Sequence, residues 1–148
     1  MTNQPFGIVR VSGERAELAH QAMRINDTES ADPDPAAIAE FLADRDCFLI
    51  VAVENGVVVG TLDGYALRQP HLRRPQFLLY EIDVAVEYRR RGIGQALVDG
   101  FADEARKRDA EVIWVLTRRS NAAAVALYRA CGFAPDEEPD TEMMELPL

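Results

Sequence analysis

Three arginines followed by Gly-Ile-Gly occupy residues 89–94, in the sequence RRRGIG, directly before a stretch with helical periodicity. The first turn of a helix has backbone N–H groups without an intrahelical partner, and the helix dipole adds partial positive charge there. Glycines let the backbone come close to a bulky anion, because no Cβ stands in the way. The spacing R-x-x-G-x-G, from Arg89 through Gly92 to Gly94, therefore predicts a loop that binds an anion such as a pyrophosphate.

Two common nucleotide-binding patterns do not fit this loop. The P-loop sequence G-x-x-x-x-G-K-[ST] does not occur in the chain. The dinucleotide pattern G-x-G-x-x-G fails because Leu97 stands in place of its third glycine. A following strand also lacks the acidic residue that would bind a ribose.

Two carboxylates lie just upstream of the loop, in FLLYEIDVAV at residues 77–86. As a β-strand, this stretch places Glu81 and Asp83 on one face, two residues apart. Neighbouring carboxylates push each other's pKa values apart, so the pair is expected to interact. The alternation assigns Leu79 and Ala85 to the face of the two acids, and it assigns to the other face Leu78, Tyr80, Ile82, Val84 and Val86.

The elements that position these groups follow from periodicity and from turn signals. Strands are predicted at 7–12, 47–55, 57–67, 77–86 and 111–119, with a final strand in the C-terminal segment EPDTEMMELPL. The strand at 111–119 has little polarity and is expected to be central. Helices are predicted over 12–26 with Ser12 as N-cap, over 35–46, over about four turns from Ile93, and over 120–133, capped by Ser120 or Asn121 and closed by Gly132. The triplet Glu54-Asn55-Gly56 predicts a hairpin turn.

This order of elements predicts one α/β (α+β) domain over residues 1–148, with helices on the faces of a mixed sheet. The composition agrees, with 48% hydrophobic and 28% charged residues in 148. No apolar run approaches the ~20 residues of a membrane span, and the N-terminus lacks a secretory pattern. A cytoplasmic location without a membrane partner is therefore expected. Cys47 and Cys131 are expected to be buried reduced thiols, and no metal site is expected, because His20 and His71 lie far from both in sequence.

Acidic residues are concentrated in two parts of the chain. The net charge is −9, which argues against nucleic acid as the main partner. Residues 135–148 contain six acids and no base, and residues 27–46 contain seven acids and one arginine. Such segments increase solubility, and they could equally attract a cationic substrate.

A second motif follows the anion loop after some 30 residues, in NAAAVALYRACGF. Its pattern N-x-x-A-x-x-L-Y-x-x-x-G-F is formed by Asn121, Ala124, Leu127, Tyr128, Gly132 and Phe133. Together with R-x-x-G-x-G, this pattern resembles the GCN5-related N-acetyltransferase (GNAT) superfamily. The resemblance covers essentially the whole chain and implies the GNAT fold, with six to seven strands and about four helices.

The resemblance also implies acetyl-CoA as cofactor, in a cleft where the strand ending at Val86 diverges from the strand at 111–117. The pantetheine arm would pair with the backbone at Val84 and Val86. Asn121 would contact the cofactor, and Tyr128 would donate a proton to the leaving thiolate. The pyrophosphate would be bound by Arg89, Arg90, Arg91, Gly92, Ile93, Gly94 and Gln95.

Acetyl transfer to an amine requires that the ammonium first lose a proton, and a carboxylate beside the cleft can accept it. Glu81 is the preferred base, and Asp83 is a substrate-binding residue or the second candidate for the base. Direct transfer requires no covalent enzyme intermediate, so neither cysteine is expected to act as a nucleophile.

Several segments resemble more specifically the GNAT-type aminoglycoside 3-N-acetyltransferases. They are YALRQPHLRRPQFLLYEIDV, PAAIAEFLADRDCFLIVAVENGVVVG and AVALYRACGF, whereas the part after Phe133 matches only loosely. Where that family has a Tyr-Asp pair, this chain has Tyr80-Glu81, which retains the carboxylate. The resemblance implies an antibiotic-resistance enzyme whose polycationic substrate contacts Tyr80 and Asp83. Acids at the rim of the site would attract that substrate, namely Asp32, Asp34, Glu137, Glu138, Asp140 and Glu142.

Other functions remain open at this point. The acceptor could be a polyamine or a protein or peptide amine, and the chain could instead be an acyl-CoA-binding sensor without catalysis. A homodimer formed through the C-terminal strand is a further expectation.

Overall fold

The computed structural model describes residues 5–26, 32–135 and 142–148. Within these residues, no helix is long and apolar enough to span a bilayer. The strands are β1 (Gly7–Arg10), β2 (Cys47–Glu54), β3 (Val57–Leu67), β4 (Gln76–Val84) and β5 (Val112–Val115). The α-helices are α1 (Ala16–Ala22), α2 (Pro35–Ala43), α3 (Ile93–Lys107) and α4 (Ala122–Ala130), and short 3₁₀ turns cover Gly13–Arg15 and Val86–Tyr88.

The five strands form one sheet in the order β1-β2-β3-β4-β5. Neighbouring strands are antiparallel, except that β4 and β5 are parallel. The hairpin between β2 and β3 turns at Asn55 and Gly56, with φ of 51° and 80°, as a two-residue turn of this type requires. The mixed α/β fold and the four helices are confirmed, and the described residues form five strands instead of six to seven.

Each face of the sheet is covered by a separate apolar core. On one face, α3 contributes Leu97 and Phe101, and the Phe101 ring lies 6.1 Å from that of Phe48 and 5.4 Å from that of Phe77. On the other face, α1 and α2 pack against β2 and β3. Full burial of each large apolar side chain stabilises the fold by roughly 1.5–3 kcal/mol.

Two helices are shorter than predicted. The helix predicted over 12–26 is α-helical only from Ala16 to Ala22, and Ser12 makes no capping hydrogen bond. The chain leaves the helical conformation by Asn26, whose φ is 56°, a value that asparagine tolerates better than most residues. The helix predicted over 35–46 ends at Ala43, because the Asp44 carboxylate accepts a hydrogen bond from Asp46 N at 2.8 Å and forms a turn there.

The predicted position of the strand at 111–119 is wrong. β5 is an outer strand among the described residues, and only four of its residues pair, all with β4. Its low polarity reflects Ile113 and Val115, which pack against the core, whereas Val112 and Leu116 are exposed. The described C-terminal residues 142–148 form no strand, and residues 138–141 of the predicted final strand lie outside the described residues.

Two further expectations need correction. Cys47 and Cys131 carry free thiols, but both are half-buried instead of buried. The strand predicted over 77–86 ends at Val84, and Val86 begins a 3₁₀ turn.

A β-bulge in β4 changes which side chains share a face. Asp63 of β3 lies opposite Glu81, whereas the next residue, Gly64, lies opposite Leu79, so Tyr80 is the additional residue. Leu79 packs in the core under α3, and so do Ile82 and Val84. The predicted alternation is therefore wrong for Leu79, which it assigned to the face of Glu81, whereas its assignment of Ile82 and Val84 to the face opposite Glu81 is confirmed.

Candidate active site

The loop before α3 has the backbone geometry of an anion site. Gly92 is the N-cap residue with φ of 80°, and no side chain caps the helix. The first intrahelical bond runs from Ala96 N to Gly92 O at 3.0 Å. The N–H groups of Ile93, Gly94 and Gln95 precede that bond and have no helical acceptor. These amides, together with the helix dipole, fit a pyrophosphate group.

The three arginines of this loop differ in their contacts. Arg91 donates two hydrogen bonds to Glu54, at 2.6 and 3.3 Å, and lies over the ring of Tyr88. Arg89 Nε donates to the carbonyl of Val84 at 3.1 Å. Arg90 is exposed and makes no hydrogen bond or ion pair with another residue in the described part of the chain. Arg89 and Arg91 therefore hold the loop in place, and Arg90 is available to an anion.

The two glycines of the loop have different structural roles. Gly92 adopts a positive φ that most residues avoid. Gly94 instead permits close packing of α3 on α4, because a Cβ there would lie 3.2 Å from a methyl carbon of Leu127. The sequence-based explanation, close approach of an anion at both glycines, therefore omits the packing role of Gly94.

A cleft opens where β4 and β5 separate. The two strands pair only from Gln76 to Leu79 on β4 and from Val112 to Val115 on β5, so β4 from Tyr80 onward has no β5 partner. The side-chain amide of Asn26 bridges this free edge, since it donates to Val84 O at 2.8 Å and accepts from Val86 N at 3.1 Å. These are the backbone groups expected to pair with pantetheine, and the sequence did not indicate their contact with Asn26.

The second motif forms α4 and its caps. Asn121 is the N-cap, and its side-chain oxygen accepts a hydrogen bond from Ala124 N at 3.1 Å, which resolves the choice between Ser120 and Asn121. Gly132, with φ of 94°, follows the helix as predicted. Tyr128 is 8% exposed and its ring lies 5.6 Å from that of Phe133. Burial, and to a lesser extent Cys131, raises the pKa of the Tyr128 hydroxyl, which therefore keeps its proton at neutral pH.

Glu81 lies beside a second carboxylate, Asp63, which the sequence analysis missed. The two residues are direct partners in the β3–β4 ladder. Both line a cavity of about 250 Å³ on the sheet face covered by α1 and α2. The other lining residues are Ala19, Met23, Ile38, Phe41, Leu42, Leu49 and Tyr65. Burial raises the pKa of Asp63 to about 7, and the neighbouring Glu81 contributes to the rise.

A signal for Asp63 was present in the sequence. It is the only acid in the apolar stretch VVVGTLDGYAL, and an acid within such a strand is rarely buried without a reason. Its partner could not be identified from the sequence, because the bulge at Tyr80 determines which β4 residue lies opposite.

Asp83 takes part in local structure around the β4 edge. Its carboxylate accepts hydrogen bonds from Asn26 Nδ2 at 3.0 Å and from Val84 N at 2.9 Å, and it lies 3.6 Å from the Arg89 guanidinium. The carboxyl whose pKa Glu81 helps to raise is Asp63.

The residues predicted to bind substrate are only partly brought together. Tyr80 is 64% exposed, and its ring lies 5.7 Å from that of the cavity residue Tyr65. Asp34 caps α2 by accepting from Ala36 N, and it lines an adjoining pocket of about 320 Å³. Asp32 forms an ion pair with Arg24, and Glu142 is exposed in the C-terminal segment. The remaining predicted acids, Glu137, Glu138 and Asp140, lie outside the described residues.

Comparison with known proteins gives a family match over most of the chain. Residues 16–133 match the model of the acetyltransferase (GNAT) family. A curated relative is the [ribosomal protein bS18]-alanine N-acetyltransferase of Escherichia coli (strain K12), which is 34% identical over 100 residues. The aligned part covers 60% of this chain and 66% of the relative, so this chain spans just under two thirds of that relative's length.

Solved structures of similar shape include two aminoglycoside acetyltransferases from uncultured soil metagenomic samples. The enzyme meta-AAC0020, in complex with sisomicin, is 19% identical with a TM-score of 0.88, over 99% of this chain and 100% of that one. At this identity the likeness shows a shared fold. The enzyme HMB0005 is 25% identical with a TM-score of 0.81, over 97% of this chain and 98% of that one.

Proposed function

Because the chain belongs to the GNAT family of acetyltransferases, whose members use acetyl-CoA, we propose that it acetylates a primary amine of a cationic small molecule. The first candidate acceptor is the 3-amino group of an aminoglycoside, which would make the protein a resistance enzyme. The observation that carries the proposal is that Asp63 of β3 and Glu81 of β4 share one cavity, with Glu81 on the part of β4 that extends beyond its pairing with β5. A cavity with two carboxylates attracts a cationic amine.

The residues around the β4–β5 cleft fit acetyl-CoA. The amides of Ile93, Gly94 and Gln95 would bind the pyrophosphate, with Arg90 as the available cation. The backbone of Val84 and Val86 would pair with the pantetheine arm once Asn26 releases it. Asn121 would contact the cofactor through the part of its side chain that the cap does not use. When bound, acetyl-CoA supplies an activated acetyl group.

In the proposed mechanism, the carboxylate at Glu81 accepts one proton from the substrate ammonium. The neutral nitrogen would then bond to the acetyl carbon as the carbon–sulfur bond breaks, and it would lose its second proton to solvent. Tyr128 donates its hydroxyl proton to the departing sulfur and is later reprotonated from solvent. The raised pKa keeps the Tyr128 hydroxyl protonated at neutral pH, so its proton is present when the thiolate leaves. Asp83 holds Asn26 and Arg89, and therefore shapes the β4 edge beside the reacting groups.

The acceptor class is supported by charge and by similarity. The chain has a net charge of −9, and solved structures of two aminoglycoside acetyltransferases share its fold. A peptide N-terminus is a second candidate, because a relative at 34% identity acts on the alanine of a ribosomal protein. The apolar cavity walls formed by Met23, Ile38 and Phe41 would suit a small apolar group beside the amine.

The proposal is tested by CoA release from acetyl-CoA with four acceptors in parallel: gentamicin, spermidine, a peptide with N-terminal alanine and a lysine-containing peptide. We expect the highest kcat/KM with gentamicin, and mass spectrometry should place one acetyl group on its 3-amino nitrogen. A preference for the alanine peptide would favour the second candidate. Tight acetyl-CoA binding without turnover on any amine would favour the non-catalytic sensor.

A further inference from the structure

We propose that Asp63 is a second catalytic carboxylate of the amine site and that it shares one proton with Glu81. In this arrangement the pair retains the proton while the cavity is without a cation, and it becomes fully ionised when a substrate ammonium enters. The inference rests on the proposed acetyl transfer to an amine and adds a residue to its mechanism.

The sheet register places the two carboxylates against each other. Asp63 and Glu81 are direct partners in an antiparallel ladder, where opposing Cβ atoms are about 4.5–5.5 Å apart. Like charges in this position destabilise the sheet. The bulge lies directly beside this pair: Tyr80, the residue before Glu81, has no partner on β3. Without that additional residue, Glu81 would not share its position with Asp63.

The described residues that line the cavity include no basic side chain. Among the described residues that line the cavity, α1 and α2 contribute Ala19, Met23, Ile38, Phe41 and Leu42, β2 contributes Leu49, and β3 adds Tyr65. Of these, only the Tyr65 hydroxyl titrates. The nearby Asp83, two residues along β4, is paired with Arg89. The protein therefore leaves the charge of Asp63 and Glu81 to be balanced by a proton or by a cation from outside.

The balance of charge explains how one proton moves during the reaction. Burial and Glu81 raise the pKa of Asp63 to about 7, so near neutral pH the free pair holds a proton for part of the time. A bound ammonium stabilises both carboxylates in the ionised form, and the shared proton leaves to solvent. Before the nitrogen attacks the acetyl group, one ammonium proton passes to the pair, and the second proton leaves to solvent as the amide forms. The pair then keeps its proton, because the amide product carries no charge to stabilise two anions. Product release then restores the starting state.

The presence of two facing carboxylates in one cavity is an argument for function. A protein that only needed stability at this position would gain from an apolar or amide side chain, because an uncompensated buried charge costs free energy. Unfavourable placements of this kind are concentrated at functional sites.

The activity test compares Asp63→Asn with wild type and with Asp103→Asn, a control on an exposed face of α3. With the amine that is turned over fastest, we expect Asp63→Asn to lower kcat/KM at pH 7.5 by about 10- to 100-fold. The acetyl-CoA Kd should change less than about twofold, because Asp63 lines the cavity on the α1 and α2 face and not the loop before α3. In wild type, kcat/KM should rise with pH, and the midpoint of that rise should lie at a different pH in Asp63→Asn. Wild-type rate and pH profile in Asp63→Asn would overturn the inference while leaving the acetyltransferase proposal intact.

A second measurement does not depend on activity or on the folding of a variant at the active site. Carbon-13 NMR of the side-chain carboxyls in the wild-type protein should show Asp63 titrating with a pKa of about 7. In Glu81→Gln the midpoint should move lower, because the neighbouring charge is gone. If no amine is acetylated but this titration is observed, the proposed function fails and the proton-sharing pair stands. A titration of Asp63 at the usual acidic pH in the wild type would overturn the inference.

Discussion

At the scale of single residues, Glu81 stands on the part of β4 that lies beyond its pairing with β5, and it is exposed. It can therefore reach an amine in the cavity while its neighbour Asp63 stays largely buried. Glu81→Gln keeps the size of the side chain and removes its charge. We expect kcat/KM to fall by about 100-fold or more and the acetyl-CoA Kd to stay within about twofold of wild type. Steady-state kinetics and calorimetry measure both, and unaltered turnover would remove Glu81 as the base.

Tyr128 combines an apolar packing role with the proposed proton donation. Its ring packs against Phe133 in the core under α3, so Tyr128→Phe retains the contact and loses only the hydroxyl. We expect a modest decrease of kcat, about 3- to 30-fold and thus smaller than for the base, because water can also protonate a thiolate. The melting temperature should change by no more than about 2 °C. An unaffected kcat would assign the proton to water.

At the scale of elements, the loop before α3 depends on the backbone conformation of Gly92. A β-branched residue at φ of 80° is a conformational outlier. Gly92→Val should therefore distort the amides of Ile93, Gly94 and Gln95 and lower acetyl-CoA affinity by at least about tenfold.

Gly56 provides a matched control for this variant. It has the same φ of 80°, and a Cβ there would also meet no atom within 4 Å, but it lies in the β2–β3 hairpin turn. The melting temperature of Gly56→Val should decrease about as much as that of Gly92→Val, whereas its acetyl-CoA affinity should equal that of wild type. Equal affinity in the two variants, measured by calorimetry, would contradict the assignment of the loop.

The bulge in β4 is the second element-scale feature that decides the site. The additional residue Tyr80 shifts the register, so that Leu79 faces the α3 core and Glu81 faces the cavity. β4 therefore has core residues before and after the bulge, and it still directs Glu81 toward α1 and α2. An uninterrupted strand would place Leu79 and Glu81 on the same face.

At the scale of the whole molecule, the raised pKa of Asp63 makes stability depend on pH. In the unfolded chain this carboxyl titrates near its ordinary pKa of 3.8, and in the folded protein its pKa is about 7. Between these values the folded state binds more protons, so the contribution of Asp63 to stability falls as the pH rises from about 4 to about 7. Above that range the cost of the buried charge is fully present.

Asp63→Asn should therefore be more stable than wild type at pH 8, by at least about 3 °C in melting temperature, since each kcal/mol shifts Tm by about 2–4 °C at this size. The difference should shrink toward pH 4, where the carboxyl is protonated in the folded protein and near its titration midpoint in the unfolded chain. Thermal unfolding followed by circular dichroism at pH 4, 6 and 8 measures it, with Asp103→Asn as control. An equal difference at all three pH values would show that Asp63 does not titrate between them.

The sequence alone was sufficient for the features that depend on local chemistry. The helix after the arginine-glycine loop, the turn at Asn55-Gly56 and the mixed α/β order of elements were predicted from neighbouring residues. The cap of α4 was narrowed to Ser120 or Asn121, and the structure shows Asn121. Helix ends were less accurate, because side-chain caps and turns at residues such as Asp44 compete with propensity.

Only the tertiary structure decided which residues meet across the sheet. Strand alternation counts positions along one chain, and a single additional residue at Tyr80 reverses the faces beyond it. From the sequence Glu81 could be paired only with Asp83, its neighbour along the strand, whereas the folded protein places it opposite Asp63 from another strand. The ionisation of Asp63 follows from burial under α1 and α2, a property that no stretch of sequence carries by itself.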